Sequence, residues 1–304
     1  MNTVRNKTLT QKQFNILVTL AEEPQTYREL LKKTLYSLGS ISITMRELKD
    51  LGYVENGVIT KKGIKALEPY RVKRAIFMAA GFGSRLIPVT IKTPKPLVKV
   101  HDRRIIDTQI DACLAAGIEE IYIVRGYLKE QFNELLKKYP MIKFIDNDDY
   151  NEANNIYSVL LAKEHLENAY VFEADLLILN PNIITKYHYQ SDFLGIWKLR
   201  TDDWCFTVSP RRNIIRQKVG GINCYQMVGI SYWNKEDAKK LQKDLPEAFD
   251  LPGGKFKFWE QVPLDVFKMN YQVKIRDCRQ EDVVEIDTFN ELKNIDRSYI
   301  NYKE

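Results

Sequence analysis

Two hydrophobic patterns divide the chain near residue 73. Before it, apolar positions recur at helical spacing. Phe14, Leu17, Val18 and Ala21 mark one face of a helix over residues 10–21, with Thr10 at its N-cap and Pro24 beyond its end. Thr26 is placed to cap a second helix, 27–35, with Leu30 and Leu31 facing inward. Gly39-Ser40 breaks the chain, Ser40 is placed to cap a third helix over 41–51, and Gly52 stops it. Residues 53–60 read as two short strands around Asn56-Gly57, a strong hairpin signal. A further helix follows over 62–67. Helix, helix, helix, hairpin is the order of a winged helix-turn-helix domain.

After residue 73 short apolar runs alternate with amphipathic segments. Strands are expected over 75–78, 120–125, 142–146 and 169–174, and helices over 105–116, 128–138 and 155–163. Such alternation implies right-handed crossovers and a mostly parallel sheet with helices on both faces, an α/β fold of Rossmann-like kind. Ligands of such sheets sit beyond the carboxyl ends of the strands. Beyond Pro181 the pattern loosens into β-rich, aromatic stretches at 193–199, 214–217 and 225–233. They are expected to form an added sheet beside the site.

Charge sharpens the division into domains 1–72 and 73–304. Residues 1–73 carry 13 basic and 7 acidic side chains, which accounts for the whole net charge of +6. The candidate recognition helix pairs Arg46 and Lys49 with Glu47 and Asp50, so it is locally neutral. DNA binding, with 41–51 in a major groove and Lys61-Lys62 near phosphates, is one reading of this domain. A packing or dimerising module is the other, and a homodimer stays open. The remaining features fit a cytoplasmic protein. The start of the chain has no apolar leader segment, and no run of about 18 apolar residues offers a membrane span. Cys113, Cys205, Cys224 and Cys278 form no C-x-x-C pair and read as reduced, buried thiols. Three scattered histidines argue against a zinc site.

The chemistry concentrates in Ala75–Leu97, AIFMAAGFGSRLIPVTIKTPKPL. A buried strand runs into Ala79-Ala80-Gly81-Phe82-Gly83, then Ser84 and Arg85, with Lys95 between two prolines ten residues on. A glycine turn at a strand end exposes backbone N–H groups to an anion, and two cations stand beside it. The turn alone is weak evidence. It is neither a Walker loop nor the dinucleotide fingerprint, because the required Lys-Ser/Thr and third glycine are missing. The full string A-A-G-x-G-x-R-x-x-P-x-T-x-x-x-P-K resembles the signature of the sugar-nucleotide and cytidylyl transferases, with every position filled. Four further segments are similar to the bacterial CTP:phosphocholine cytidylyltransferases: G-Y-L-K-E-Q-F at 126–132, N-N-x-Y-S from Asn154, E-A-D ending on Asp175, and E-I-D ending on Asp287.

The resemblance implies cytidylyl transfer from CTP to phosphocholine, with Mg²⁺, giving CDP-choline and pyrophosphate. It implies nucleotide binding by Ala79, Ala80, Gly81, Gly83, Ser84, Gly126 and Tyr127, with backbone contacts from Ala80, Gly81 and Gly83, and with Asn154 and Asn155 near the base. Lys95 matches the lysine at the α-phosphate, Arg85 the arginine on the β- and γ-phosphates, and Asp175 and Asp287 the metal aspartates. Without the family, Asp175 reads first as a helix N-cap, and Asp287 reads equally well as the cap of the final helix, 288–295. Trp204, Trp259, Glu260 and Glu285 fall where the family holds the quaternary ammonium of choline, a cation that aromatic faces bind well. Residues 211–221 depart from the family pattern. This leaves phosphoethanolamine, 2-aminoethylphosphonate or a sugar 1-phosphate as alternative acceptors. A DNA-binding regulator that uses the transferase fold as a nucleotide sensor is the alternative of another class.

Overall fold

The computed structural model describes residues 8–302. The reading of the chain's start as no leader falls largely on residues 1–7, outside the described residues. The chain divides into two compact units, Met1–Arg71 and Val72–Glu304.

The first unit holds α1 (Gln11–Glu22), α2 (Tyr27–Thr34), α3 (Leu38–Asp50), β1 (Val54–Glu55), β2 (Val58–Ile59) and α4 (Lys61–Leu67). Thr10 and Thr26 close capping boxes with Gln13 and Glu29. α3 begins earlier than the Gly39-Ser40 break suggests. The Ser37 side chain accepts from the Ser40 N–H, and the first turn absorbs the glycine. β1 and β2 pair across Asn56 and Gly57, which sit at φ 50° and 81°, the two positive values that a tight hairpin turn requires. Ile16, Leu17, Leu30, Ile41, Leu48 and Leu67 are fully buried and form its core.

The second unit is built on one seven-stranded sheet. Its strands in chain order are β3 (Arg74–Ala79), β6 (Glu120–Arg125), β7 (Lys143–Asp146), β8 (Ala169–Glu173), β10 (Asp192–Val208), β11 (Ile214–Trp233) and β12 (Lys274–Asp277). The spatial order is β12-β10-β11-β8-β3-β6-β7, and only β11 runs against the others. The short pairs β4 (Lys99–Val100) with β5 (Arg103–Arg104), and β9 (Leu176–Ile178) with β13 (Val283–Glu285), lie outside it. Helices α5 (Ile105–Ala115), α6 (Ile156–Leu161), α7 (Lys235–Asp250) and α8 (Phe289–Ile295) complete the unit. Alternation along β3 explains the layering. Ala75, Phe77 and Ala79 enter a core with Ile106, Ile110 and Phe172, whereas Ile76 enters a second core with Val159, Trp233 and Leu241.

Three sequence expectations are corrected. The stretches between 193 and 233 do not form a separate sheet. They are parts of one long antiparallel pair, β10–β11, whose inner ends extend the central sheet. The amphipathic segment 128–138 is a 3₁₀ run, Lys129–Lys137, because Leu128 takes a left-handed φ of 48° and the turns close on i→i+3 bonds such as Gln131 N to Leu128 O, 3.0 Å. Thr288, rather than Asp287, caps α8, and Glu291 completes its capping box. Among the described residues no helix is long and apolar enough to cross a membrane.

Candidate active site

A cavity of about 580 Å³ opens beyond the carboxyl ends of β3 and β8. The loop after β3 forms one wall, with Ala79, Ala80, Gly81, Gly83, Ser84 and Arg85 in it. Gly83 is needed for two reasons. Its φ is +62°, and a Cβ there would stand 2.8 Å from the Cβ of Lys95. Gly81 is different, since a Cβ on it would meet no protein atom within 4 Å. The fold itself does not demand the small residue at that point, but a molecule close to the backbone would.

Lys95 is buried at the cavity floor, and its ammonium donates to Asp175 Oδ2 at 2.8 Å and Asp287 Oδ1 at 3.1 Å. Arg85 donates to Asp287 Oδ2 at 2.7 Å while most of its side chain stays exposed. The strand pair β9–β13 makes this convergence. Leu176 faces Glu285, and the Ile286 N–H donates to Asp175 O at 3.3 Å, so Asp175 and Asp287 meet although they are far apart in sequence. Burial alone would push the lysine's pKa down, but the two carboxylates outweigh it and hold the ammonium above its ordinary range.

Carboxylates are in excess here. Glu173, Asp175 and Glu285 offer oxygens that all lie within 4.8 Å of one another. Burial first, then the charges of Asp175, Glu260 and Glu285, lifts Glu173 well above the usual carboxylate range. Burial lifts Glu260 to about 7, against a hydrogen bond from Asn155. Burial and the charges of Asp175 and Asp287 lift Glu285 to about 8. Two buried carboxylate oxygens, Asp175 Oδ1 and Glu260 Oε2, accept no hydrogen bond. Gly229 leaves room for this cluster: a Cβ on it would stand 2.5 Å from Glu173 Oε2.

The remaining expected residues divide. Asn154 and Asn155 line the cavity, but part of their hydrogen bonding is spent on the segment 255–259. The Trp259 N–H donates to Asn155 Oδ1 at 2.8 Å, and Asn154 Nδ2 donates to Phe256 O at 3.2 Å. Gly126 and Tyr127 stand behind the wall rather than in it. The Tyr127 N–H holds Ala80 O at 2.9 Å and its ring packs on Phe82, so the pair braces the glycine loop. Trp204 and Glu260 line the cavity, with Trp204 packed edge-on against Phe258 at 5.7 Å. Trp259 does not. Its ring is 2% exposed and packs between Phe193 and Trp233 in the core, because neighbouring residues of this irregular segment point opposite ways. Phe258 faces the cavity in its place. Sequence reasoning missed Asn147, Asp203, Glu173 and Met227 as wall residues. Of these, Glu173 and Asp203 carried a signal, since each sits beside a residue already singled out, Asp175 and Trp204.

Residues 74–196 match the family model described as Nucleotidyl transferase. The chain is 37% identical over 229 residues to a 2-aminoethylphosphonate cytidylyltransferase of Lancefieldella rimae, covering 74% of this chain and 93% of that one. It is 31% identical to the choline-phosphate cytidylyltransferase of Streptococcus pneumoniae, covering 73% and 96%. A solved CTP:phosphocholine cytidylyltransferase from Streptococcus pneumoniae superposes with a TM-score of 0.69 at 30% identity, over 75% of this chain and 99% of that one. Cavity, glycine loop and these relatives agree, and the chain belongs to the nucleotidyltransferase family, with cytidylyltransferases among its relatives.

Proposed function

We propose that the protein transfers the cytidylyl group of CTP to 2-aminoethylphosphonate, or to a phosphorylated primary amine of similar size. One observation carries this choice: the cavity wall holds more carboxylates than aromatic faces. Glu173, Asp175, Glu260, Glu285, Asp287 and Asp203 line it, against Trp204, Phe258 and Tyr150, and Trp259 is withdrawn into the core. A primary ammonium donates three hydrogen bonds and seeks such oxygens, whereas a quaternary ammonium donates none and relies on aromatic faces. Glu260 Oε2, buried and without a partner, is an acceptor suited to that donor. The relative at 37% identity that uses 2-aminoethylphosphonate supports the same choice over phosphocholine.

In this reading a phosphonate oxygen attacks the α-phosphorus of CTP in line, and pyrophosphate leaves. The chain supplies positioning and charge. Backbone groups from Ala79 to Ser84 cradle the triphosphate, and Arg85 takes the outer phosphates with its planar fork. Lys95 meets the α-phosphate and the attacking oxygen. Asn154 and Asn155 flank the base.

Members of this family generally use a divalent metal, usually Mg²⁺, and the residues present fit one. Asp175 keeps a buried oxygen without a partner, and the donor set is all oxygen, as Mg²⁺ prefers. Asp175 and Asp287 would hold it, with Glu173 and Glu285 close by, and it would neutralise triphosphate charge. Pyrophosphate release with CTP across a panel of acceptors tests the proposal. 2-Aminoethylphosphonate should give the highest kcat/KM. A preference for phosphocholine, or for a sugar 1-phosphate, overturns the acceptor assignment.

A second reading concerns the first unit, which we propose as a winged helix-turn-helix domain that contacts DNA. Its support is the helix–helix–helix–hairpin order and the concentration of the chain's net charge in residues 1–73. α3 exposes Arg46 and Lys49 together with Glu47 and Asp50. Gel shifts with genomic fragments test it, and binding no tighter than that of residues 73–304 alone refutes it.

A further inference from the structure

We infer that Lys95 is a stand-in cation: in the free protein its ammonium joins Asp175 to Asp287, and it must leave them before a divalent cation can engage both. Metal and nucleotide then bind in a mutually dependent way. The inference rests on the assignment of Asp175 and Asp287 as the metal-holding pair.

The geometry is specific. The Lys95 ammonium touches one oxygen of each aspartate, at 2.8 and 3.1 Å. Arg85 takes the other oxygen of Asp287 at 2.7 Å, so both oxygens of that carboxylate already face cations. Only Asp175 Oδ1 is left without a partner. A divalent ion that engages both carboxylates competes with Lys95 for the same oxygens and is repelled by its charge. Lys95 has room to yield only at its far end. The base of its stem is pressed against Gly83, where an added Cβ would come within 2.8 Å, and the residue itself lies in the buried 3₁₀ turn Lys95–Leu97. The four-carbon stem is flexible beyond that point, and the glycine loop that forms the neighbouring wall is where a triphosphate would attract it. Glu173, Glu285, Glu260 and Asp203 face the same space, and all are acidic. None of them can replace the lysine as counter-charge. The carboxylate pair therefore always needs a cation, and the question is which one. By linkage, phosphates that draw Lys95 away raise metal affinity, and a metal that displaces Lys95 raises phosphate affinity by the same factor.

The test is Mn²⁺ binding without nucleotide, read from the electron paramagnetic resonance signal of free Mn²⁺. Lys95→Gln should bind Mn²⁺ at least about tenfold more tightly than the wild type, within the usual span of coupled sites. Arg85→Gln, which frees one exposed oxygen contact, should gain less than about threefold. If Lys95→Gln does not tighten Mn²⁺ binding while Asp175→Asn still abolishes it, the inference fails and the metal assignment stands. If Asp175→Asn leaves Mn²⁺ binding unchanged, the metal assignment fails and takes the inference with it. A second measurement needs no variant. Acetic anhydride labelling followed by mass spectrometry should show Lys95 protected in the free protein and several-fold more reactive at saturating Mg²⁺, with exposed Lys99 unchanged. Equal labelling of Lys95 with and without bound metal overturns the proposal.

Discussion

Strand β8 carries a buried charge network at each end, and the two are built on opposite terms. At its start, Tyr170 meets His188, Asp192 and Arg276. His188 Nδ1 pairs with Asp192 Oδ2 at 2.6 Å, and its Nε2 with Tyr170 Oη at 2.6 Å and Thr185 Oγ1 at 2.9 Å. Arg276 Nε donates to Asp192 Oδ1 at 3.0 Å, and its other nitrogens to Ile183 O and Tyr170 Oη. One carboxylate faces one guanidinium, and none of these side chains leaves a buried polar atom unpaired. At the far end, Glu173, Asp175, Glu260, Glu285 and Asp287 face Lys95 and a mostly exposed Arg85, and two carboxylate oxygens are left over. The first network is closed and adds rigidity. The second is open, and its imbalance fits a cationic ligand. The His-Asp pair is thus satisfied within the fold, and in the proposed function the crowd of acids is the end that meets ligands.

The comparison breaks first under substitution of an aspartate at each end. Asp175→Asn should lower kcat about a thousandfold or more, because it removes one of the two carboxylates that would hold the cation neutralising the reacting phosphates. Its melting temperature should hold or rise, since one of five crowded acids is neutralised. Asp192→Asn should do the reverse. It leaves the half-buried Arg276 without its counter-charge, at a cost of up to about 3 kcal/mol, and the surviving folded fraction should keep its KM values. Chemical denaturation beside steady-state kinetics on both variants decides the matter. If Asp175→Asn unfolds as readily as Asp192→Asn, the open network is structural after all.

The two ends were also unequally legible in the sequence. The string Ala79–Lys95 could be read directly, because a phosphate cradle needs those residue types in a fixed local order, whereas Asp175 and Asp287 stood out only through the family resemblance. The strands β3, β6 and β8 were legible for a related reason: fully buried parallel strands are continuous apolar runs. What the sequence hid was direction. Trp204 and Trp259 read alike as cage candidates, yet one lines the cavity and the other is core, and this depends on how segment 255–259 is tied to Asn154 and Asn155. Asp287 read as the cap of α8, but Thr288 takes that place, and the β9–β13 pairing turns Asp287 towards Lys95. The His188 network was invisible, because its members lie between positions 170 and 276 and follow no periodicity. α7 is a different case: its buried Ala238, Leu241, Leu245 and Ala248 recur at helical spacing, a legible signal in a stretch that was assigned no element.

A smaller effect separates the acceptor wall from the core. Trp204→Ala should raise the acceptor KM about tenfold, the scale of one aromatic contact to a cation, with little change in kcat or melting temperature. Trp259→Ala should cost about 3–5 kcal/mol of stability, as a large buried ring lost from a packed core. Should Trp259→Ala change the acceptor KM at unaltered stability, its ring faces the substrate and the packing described above is wrong.

The smallest effect distinguishes the networks by pH. Burial pulls the pKa of His188 below its ordinary value despite Asp192 beside it, so the ring is neutral in the folded protein near neutral pH. The unfolded chain takes up a proton below about pH 6.5, the ordinary range of histidine, and the folded chain does not. Stability that is present above that range is therefore lost as pH falls through it, at no more than about 1.4 kcal/mol per pH unit for one group. His188→Asn should flatten the slope between pH 7 and 5.5 in denaturant titrations, whatever it costs in absolute stability. A steeper slope in the variant would mean that His188 is protonated in the fold, with Asp192 shared between two cations. The closed network would then carry net charge, and the contrast between the two ends of β8 would lose its physical basis.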